Sequence, residues 1–120
     1  EARRRAGAIL ERVGIADRAA HYPAEMSGGE LQRAAVGRAI ARGPRVIFAD
    51  EPTGNLDREN ADRVFRLLRD VQRESGGSLV LVTHDPDLAS RCDKIFTMSS
   101  QGILQGTALG AAGGIGNPDV

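Results

Sequence analysis

The sequence predicts an α/β fold in which helices flank a parallel sheet, and two observations support this. First, two short apolar runs, 46–49 and 78–83, lack a helical period and are typical of strands buried on both faces of a parallel sheet. Second, a helical pattern of more than ten residues separates them, which is the connection that parallel strands require. Ligands bind at the carboxyl ends of such strands, so the residues after each run are the first candidates for a site.

The chain begins in a helical pattern. Apolar residues recur at helical spacing over residues 1–13, and Gly14 follows where a C-terminal cap glycine belongs. The three arginines at positions 3–5 lie between those apolar positions, which favours a solvated face over a nucleic-acid patch. Residues 15–26 predict a short helical turn followed by a loop. Because residue 1 is Glu inside a helix, we expect these residues to be a piece of a longer protein.

A second helix is predicted to begin at Ser27. Ser27 and Glu30 have the spacing of a capping box, in which each side chain accepts a hydrogen bond from the other residue's amide. The helix should stop at Gly43 and Pro44, because proline cannot continue it. Its predicted apolar face consists of Leu31, Ala35, Val36, Ala39 and Ile40.

The rest of the chain alternates strands with helices. Asp57 can cap a long amphipathic helix that closes at Gly76 and Gly77, and the second strand follows. Asp85 and Pro86 are typical of the start of a short helix. Residues 94–98 and 103–104 predict a hairpin that closes the domain. We therefore assign residues 1–105 to one domain and residues 106–120 to a flexible, glycine-rich tail.

Composition excludes several classes of protein. The 120 residues are 41% hydrophobic and 27% charged, an ordinary globular composition. Sixteen basic residues balance sixteen acidic ones, so no net field favours nucleic acid, and we expect no nucleic-acid partner. No apolar run has the length of a membrane span, and no signal peptide opens the chain. Cys92 is the only cysteine, which excludes a disulfide framework and a thiolate metal cluster.

Titratable residues stand at the end of each predicted strand. Asp50 and Glu51 follow the first strand, and His84 follows the second, so the parallel sheet should bring them together. Asp50 is the candidate ligand for Mg²⁺, which prefers oxygen ligands. Glu51 is the candidate base that orients and deprotonates a water, and His84 could polarise a phosphate oxygen. The alternative is that the acids cap a turn and that His84 is a hydrogen-bonded turn residue.

The turn Ser27-Gly28-Gly29 is a candidate phosphate site. It combines free backbone amides, a hydroxyl and the positive end of a helix dipole, with no Cβ to obstruct close approach. Any capped helix can begin in this way, so the motif alone does not decide between a phosphate site and an ordinary helix start. The carboxylate of Glu30 would repel a polyphosphate unless the capping box turns it away.

Four motifs in this order resemble the C-terminal half of an ABC transporter ATP-binding domain. "MSGGE" is similar to the signature motif, "VIFADE" to the Walker B strand with its catalytic glutamate, "GNLD" to the D-loop and "VTHD" to the switch histidine loop. The wording "ADEPTGNLD" resembles most closely the macrolide-exporter, lipoprotein-release and cell-division group of bacterial ABC ATPases. Met26 and Glu30 depart from the usual Leu and Gln. The resemblance implies a P-loop NTPase-type sheet.

The resemblance also implies a role for each candidate residue. Two such domains close head to tail on two ATP molecules. Ser27, Gly28 and Gly29 of one copy then contact the γ-phosphate held by the other, and Glu30 is assigned with them to the nucleotide-binding residues. Asp50 then supports Mg²⁺, Glu51 activates water and His84 contacts the γ-phosphate. Asp57 links the two sites across the dimer. The implied partners are a second ATPase domain and a transmembrane permease, at the cytoplasmic face of the membrane.

One motif of the family is missing from the sequence. No G-x-x-x-x-G-K-[ST] occurs, and Lys94, the only lysine, stands in another context. We therefore expect an incomplete P-loop fold and no ATP hydrolysis by these residues alone. An ABC-type ATPase of DNA repair or chromosome organisation is the alternative, although the heptads and cysteine pairs typical of those proteins are not found. A non-catalytic remnant is the third possibility.

Overall fold

A computed structural model describes residues 1–108 and divides the chain into two compact units, Glu1–His84 and the unit that begins at Asp85. The elements confirm the predicted α/β class. Those of the first unit are α1 (Ala2–Arg12), α2 (Gly28–Ile40), β1 (Val46–Asp50), α3 (Arg58–Ser75) and β2 (Ser78–Val82). Those of the second are α4 (Pro86–Ser90), β3 (Lys94–Ser99) and β4 (Gly102–Ala108).

Helix α1 ends in the glycine cap that the sequence predicts. Gly14 adopts a left-handed backbone with φ +71°, which a glycine tolerates without strain. The amide of Gly14 donates to the carbonyl of Glu11, and the amide of Ile15 donates to that of Leu10, the paired bonds of a Schellman motif. Ile15 is thereby placed in the core, where it is almost completely buried.

Helix α2 buries only part of the predicted apolar face, since Val36 and Ile40 lie in the core as predicted. Leu31, Ala35 and Ala39 are exposed. The buried positions are Gly29, Arg33, Val36, Gly37 and Ile40. Gly37 permits close packing on α1, since a Cβ there would lie 3.3 Å from a methyl of Ile9. The prediction was wrong for the three exposed residues because it counted only apolar residues, whereas two glycines and an arginine with a polar partner also form the contact face.

Strands β1 and β2 pair in parallel, as predicted. Val46 lies opposite Ser78 and Asp50 lies opposite Val82, so both strands end at the same edge of the sheet. Helix α3 connects them, and a left-handed Gly76 ends it. Gly77 then passes so close to the carbonyl of Arg45 that a Cβ would collide with the backbone. The glycine pair is therefore needed both to stop the helix and to begin β2.

Helix α3 packs on the sheet through one apolar stripe. Its buried residues are Val64, Phe65, Leu68 and Val71, spaced at three or four residues. They belong to a core that also contains Val13 and Ile47. The opposite face carries exposed ion pairs such as Arg63 with Glu59. None of the helices in residues 1–108 is both long and apolar enough to cross a bilayer.

One face of the β1–β2 sheet is open, which corrects the prediction that the strands are buried on both faces. Ile47 and Ala49 point into the core, but the alternate residues do not. Phe48 is 79% exposed, and Val46, Val80 and Val82 lie on the same face with about half of their surface accessible. The unbroken apolar runs therefore predicted the strands correctly, but the burial of their second face was predicted wrongly.

The second unit contains α4 and a hairpin. Asp85 caps α4 by accepting from the amide of Asp87, as the sequence predicts. Strands β3 and β4 are antiparallel, with Ser99 opposite Gly102, which confirms the hairpin. Strand β4 continues to Ala108, so residues 106–108, which the sequence assigns to the tail, are strand. The rest of the predicted tail, residues 109–120, lies outside the described residues.

Candidate functional site

The candidate acids and histidine meet at the carboxyl edge of the β1–β2 sheet. Glu51 follows β1 directly, and its amide donates to the carbonyl of Val82 at 2.8 Å, which extends the strand pairing by one bond. Oε1 of Glu51 lies 3.5 Å from Nε2 of His84. Asp50, the last residue of β1, is exposed beside them. The sheet thus brings together the residues that the sequence placed at its edge.

Glu51 has an unusual backbone conformation. It is the one non-glycine residue with positive φ in residues 1–108, at +44°. A left-handed backbone is uncommon for glutamate, and such outliers cluster at functional sites. The chain turns back at this point, because the amide of Gly54 donates to the carbonyl of Glu51. The strained turn therefore directs the carboxylate of Glu51 toward His84.

The carboxylate of Glu51 has an unused acceptor. Its Oε1 is shielded from solvent and accepts no hydrogen bond from the described residues. The side chain as a whole is 35% exposed, while that of His84 is 99% exposed. A buried acceptor without a donor is costly unless water or a ligand satisfies it. The carboxylate as a whole, partly exposed beside a solvent-accessible histidine, fits a base that holds a water.

The side chains at this edge of the sheet could supply only part of the coordination shell of a magnesium ion. Residues 1–108 contain no group of three or more His, Cys, Asp or Glu side chains that could hold a metal. Magnesium in phosphate-transfer sites is commonly held by one or two carboxylates together with substrate phosphates and waters. Asp50 can supply one such carboxylate oxygen, and the remaining ligands would come from the nucleotide, water and other chain segments.

The predicted capping box forms at the start of α2. The amide of Glu30 donates to Oγ of Ser27, and the amide of Ser27 donates to Oε2 of Glu30. Arg18 donates to the other oxygen of the same carboxylate at 3.2 Å. These bonds neutralise much of the negative charge of Glu30. The expected repulsion between the carboxylate of Glu30 and a phosphate bound at Ser27-Gly28-Gly29 is therefore reduced.

The Ser27 turn packs against the loop that follows Glu51. A Cβ on Gly28 would lie 3.8 Å from a methyl of Leu56. A Cβ on Gly29 would lie 2.7 Å from Oδ1 of Asn60. Pro52 and Thr53 anchor the same loop by burial. Gly29 is thus required by the packing of α3 against the turn, whereas Gly28 makes only an ordinary van der Waals contact with Leu56.

Asp57 caps α3 and is held by Asn60. Oδ1 of Asp57 accepts from the amide of Asn60, and Oδ2 accepts from its side-chain amide. Arg33 of α2, which is 7% exposed, donates to Oδ1 of Asn60 at 3.3 Å. Sequence reasoning missed Arg33 and Asn60. The position of Asn60 three residues after the cap, and that of Arg33 four residues after Gly29, were the signals that could have found them.

The predicted residues therefore form two groups. Asp50, Glu51 and His84 lie at the sheet edge, whereas the Ser27 turn and Asp57 lie at the starts of α2 and α3. The loop 52–56 connects Glu51 to Asp57 along the chain. The roles of these residues remain predictions.

Hydrogen bonds lower the pKa of two carboxylates in the second group. The backbone amide of Ser27 is the main cause that lowers the pKa of Glu30 below its ordinary value of 4.5, with Arg18 and Arg33 adding to it. The backbone and side-chain amides of Asn60 lower the pKa of Asp57 below its ordinary value of 3.8. Both carboxylates are therefore stabilised in the charged form by the caps they make.

These shifts predict a loss of stability in acid. Since both folded pKa values are depressed, the stabilisation is complete above the ordinary pKa and is lost as pH falls through the folded pKa. The free energy of unfolding of the complete protein should therefore fall with pH below about 4.5. Urea denaturation between pH 6 and about 3 measures this.

Glu30→Gln tests the contribution of one of these carboxylates. Glutamine can still complete a capping box but does not titrate, so the acid dependence should become shallower. Glu11→Gln, a change at an exposed position of α1, is the matched control and should keep the parent slope. Identical slopes for the parent and Glu30→Gln would contradict the prediction.

Comparison with known proteins agrees with the motifs. A family model described as ABC transporter matches residues 1–54. The lipoprotein-releasing system ATP-binding protein LolD of Bordetella avium is 49% identical over 106 residues, which are 88% of this chain and 46% of the relative. LolD of Bordetella pertussis is 52% identical over 104 residues, 87% of this chain and 45% of the relative. The chain thus spans about half the length of the curated relatives it matches.

Solved structures have the same fold. A dimeric ATP-binding cassette in a post-hydrolysis state, bound to ADP and Pi, superposes with a TM-score of 0.79 at 33% identity, over 92% of this chain and 48% of that chain. A second dimeric structure, of a bacterial ABC transporter cassette, has a TM-score of 0.79 at 34% identity over the same shares.

Proposed function

Because the chain belongs to the ABC transporter family of ATP-binding domains, close to the lipoprotein-release group, we propose that it is part of an ATP-hydrolysing subunit that powers transport. The contact between Glu51 and His84 at the sheet edge carries this proposal. It combines a strained backbone, a shielded acceptor and an exposed imidazole in one place. An ordinary cap after a strand needs none of these features.

In the proposed reaction, Glu51 is the base and His84 the orienting group. The carboxylate of Glu51 accepts a proton from a water that attacks the γ-phosphorus of ATP, and the bond from that phosphorus to the β–γ bridging oxygen breaks. The products are ADP and phosphate, and the proton returns to solvent. The exposed Nε2 of His84 would contact a γ-phosphate oxygen and so hold the group in line with the water. Asp50 would hold Mg²⁺, which neutralises charge on the phosphates.

The Ser27 turn would act on a second copy of the domain. The amides of Gly28 and Gly29, the hydroxyl of Ser27 and the start of α2 would bind the γ-phosphate of the ATP held by the partner. The capping box supports this assignment, because it turns the carboxylate of Glu30 onto Ser27 and Arg18 and away from an anion. Asp57 would link the two sites of the head-to-tail dimer.

The transport step would be carried out by a membrane partner. We assign the subunit to the cytoplasmic face of the membrane, bound to a transmembrane permease. Its relatives are named for lipoprotein release, and identities of about one half over most of the chain support a lipoprotein-releasing system for this chain as well. Closure of the two ATPase domains on ATP would transmit force to that permease.

The first test uses the protein encoded by the complete reading frame that contains these residues. We expect magnesium-dependent release of phosphate from ATP, measured with a phosphate-binding fluorescent probe. We also expect ATP, but not ADP, to increase the dimer fraction in light scattering. A folded protein that neither releases phosphate nor dimerises with ATP would overturn the proposal.

A further inference from the structure

One side chain, Asn60, contacts both parts of the second group of site residues. Its side-chain amide donates to Oδ2 of Asp57 at 2.9 Å, and its own backbone amide donates to Oδ1. Its carbonyl oxygen faces α2, where it occupies the space that a Cβ of Gly29 would need. Asn60 therefore lies between the cap of α3 and the first turn of α2.

Arg33 fixes the orientation of this amide. Nη1 of Arg33 donates to Oδ1 of Asn60, which leaves the NH₂ group of Asn60 directed at Asp57. Arg33 is 93% removed from solvent, since its exposure is 7%, and its Nε has no hydrogen-bond partner in residues 1–108. A buried guanidinium with so few acceptors depends on each of them, because a buried donor left without a partner costs free energy. Hydrogen-bond donation therefore runs in one direction, from Arg33 to Asn60 and from Asn60 to Asp57.

The contact is also a steric one. Because a Cβ on Gly29 would meet Oδ1 of Asn60 at 2.7 Å and Cγ at 2.9 Å, the amide packs directly on the glycine. A rotation of the Asn60 side chain toward another rotamer would open a gap beneath the Ser27 turn. Packing of this kind transmits displacement between α2 and α3, because packed interiors yield little.

From these contacts we propose that Asn60 is a positioning residue that holds the Ser27-Gly28-Gly29 turn and Asp57 in one fixed relation. This inference rests on the proposed function, in which the turn and Asp57 both face a second copy of the domain. Asn60 itself touches no substrate in this assignment. It sets the spacing between two groups that must reach the partner at the same time, so its loss weakens closure on ATP more than it weakens the fold.

The test measures closure directly, in the complete protein carrying Glu51→Gln so that ATP is not consumed. Asn60→Leu keeps the volume but removes both polar contacts. Asn60→Asp keeps an acceptor for Arg33, loses the donor to Asp57 and places two carboxylates together. An acid in the first turn of α3 favours the helix, so this second variant should fold. We expect each variant to raise the dimer dissociation constant in ATP about tenfold or more, equivalent to about 1.4 kcal/mol.

Two other measurements and a control variant separate positioning from a general structural role. The melting temperature should stay within a few degrees of the parent value, and the affinity of the monomer for a fluorescent ATP analogue should be unchanged. Glu59→Gln, at the exposed neighbouring position on α3, should leave all of these values at the parent level. Dimer dissociation constants within twofold of the parent value would overturn the proposal. It would also be overturned if the melting temperature and the monomer affinity fell as strongly as the dimer affinity.

The same experiment distinguishes the two proposals. If the Glu51→Gln parent does not dimerise with ATP, the proposed function fails and the role of Asn60 fails with it. If the parent dimerises and the Asn60 variants dimerise equally well, only the role of Asn60 fails.

Discussion

Glu51→Gln should lower the rate of ATP turnover by about 10²- to 10⁴-fold, the usual contribution of a general base, while ATP binding persists. Glutamine has the shape of glutamate and keeps a carbonyl oxygen near the position of the shielded acceptor, but it cannot take the proton of the attacking water. In the proposed cycle hydrolysis reopens the dimer, so the closed state should accumulate. Phosphate release in a single turnover measures the first effect, and light scattering in ATP measures the second.

Glu11→Gln is the matched control for this prediction. It makes the same chemical change at an exposed position of α1, and its turnover should equal that of the parent. Equal melting temperatures for the two variants would show that Glu51→Gln acts on chemistry and not on folding. Unchanged turnover in Glu51→Gln would remove Glu51 from the role of base, even if ATP still drives dimer formation.

The helices and strands were predictable because their signals are local. The glycine cap at Gly14, the capping box at Ser27 and the apolar runs of β1 and β2 each depend on a few neighbouring residues, and each is confirmed. The exposed face of the sheet was not predictable. An apolar run such as 46–49 shows that a strand can be buried on both sides. Whether another element covers the second face depends on residues far away in the sequence, which the run does not reveal.

Fewer features of the site than of the fold could be predicted from the sequence. Pairing of two parallel strands brought Glu51 and His84 together, as the positions at the strand ends imply. The left-handed backbone of Glu51 has no sequence signal, since glutamate rarely adopts it. Arg33 was missed because a charged residue on a helix is ordinarily assigned to solvent. Its hydrogen-bond partner, Asn60, lies twenty-seven positions away along the chain.

Residues 1–120 expressed alone should aggregate or remain partly molten. The open face of the sheet presents Phe48 and three valines to solvent, and β2 pairs with β1 alone among the described strands of its sheet. An exposed apolar strand with a free edge is a template for association with another chain. Size-exclusion chromatography should therefore show oligomers or void-volume material, and heating should give a broad transition.

Phe48→Lys tests whether this face is the cause. The charge interrupts the apolar patch at its most exposed residue, so the monomer fraction should rise several-fold relative to the parent chain, within the typical effect of a gatekeeper charge. Tyr22→Lys is the matched control, because Tyr22 is 77% exposed but lies outside the sheet. If the monomer fraction rises equally in both variants, added charge and not the sheet face controls solubility. A sharp cooperative melt of a monodisperse parent monomer would contradict the prediction, because it would mean that α3 and the helices packed with it stabilise the sheet on one face alone.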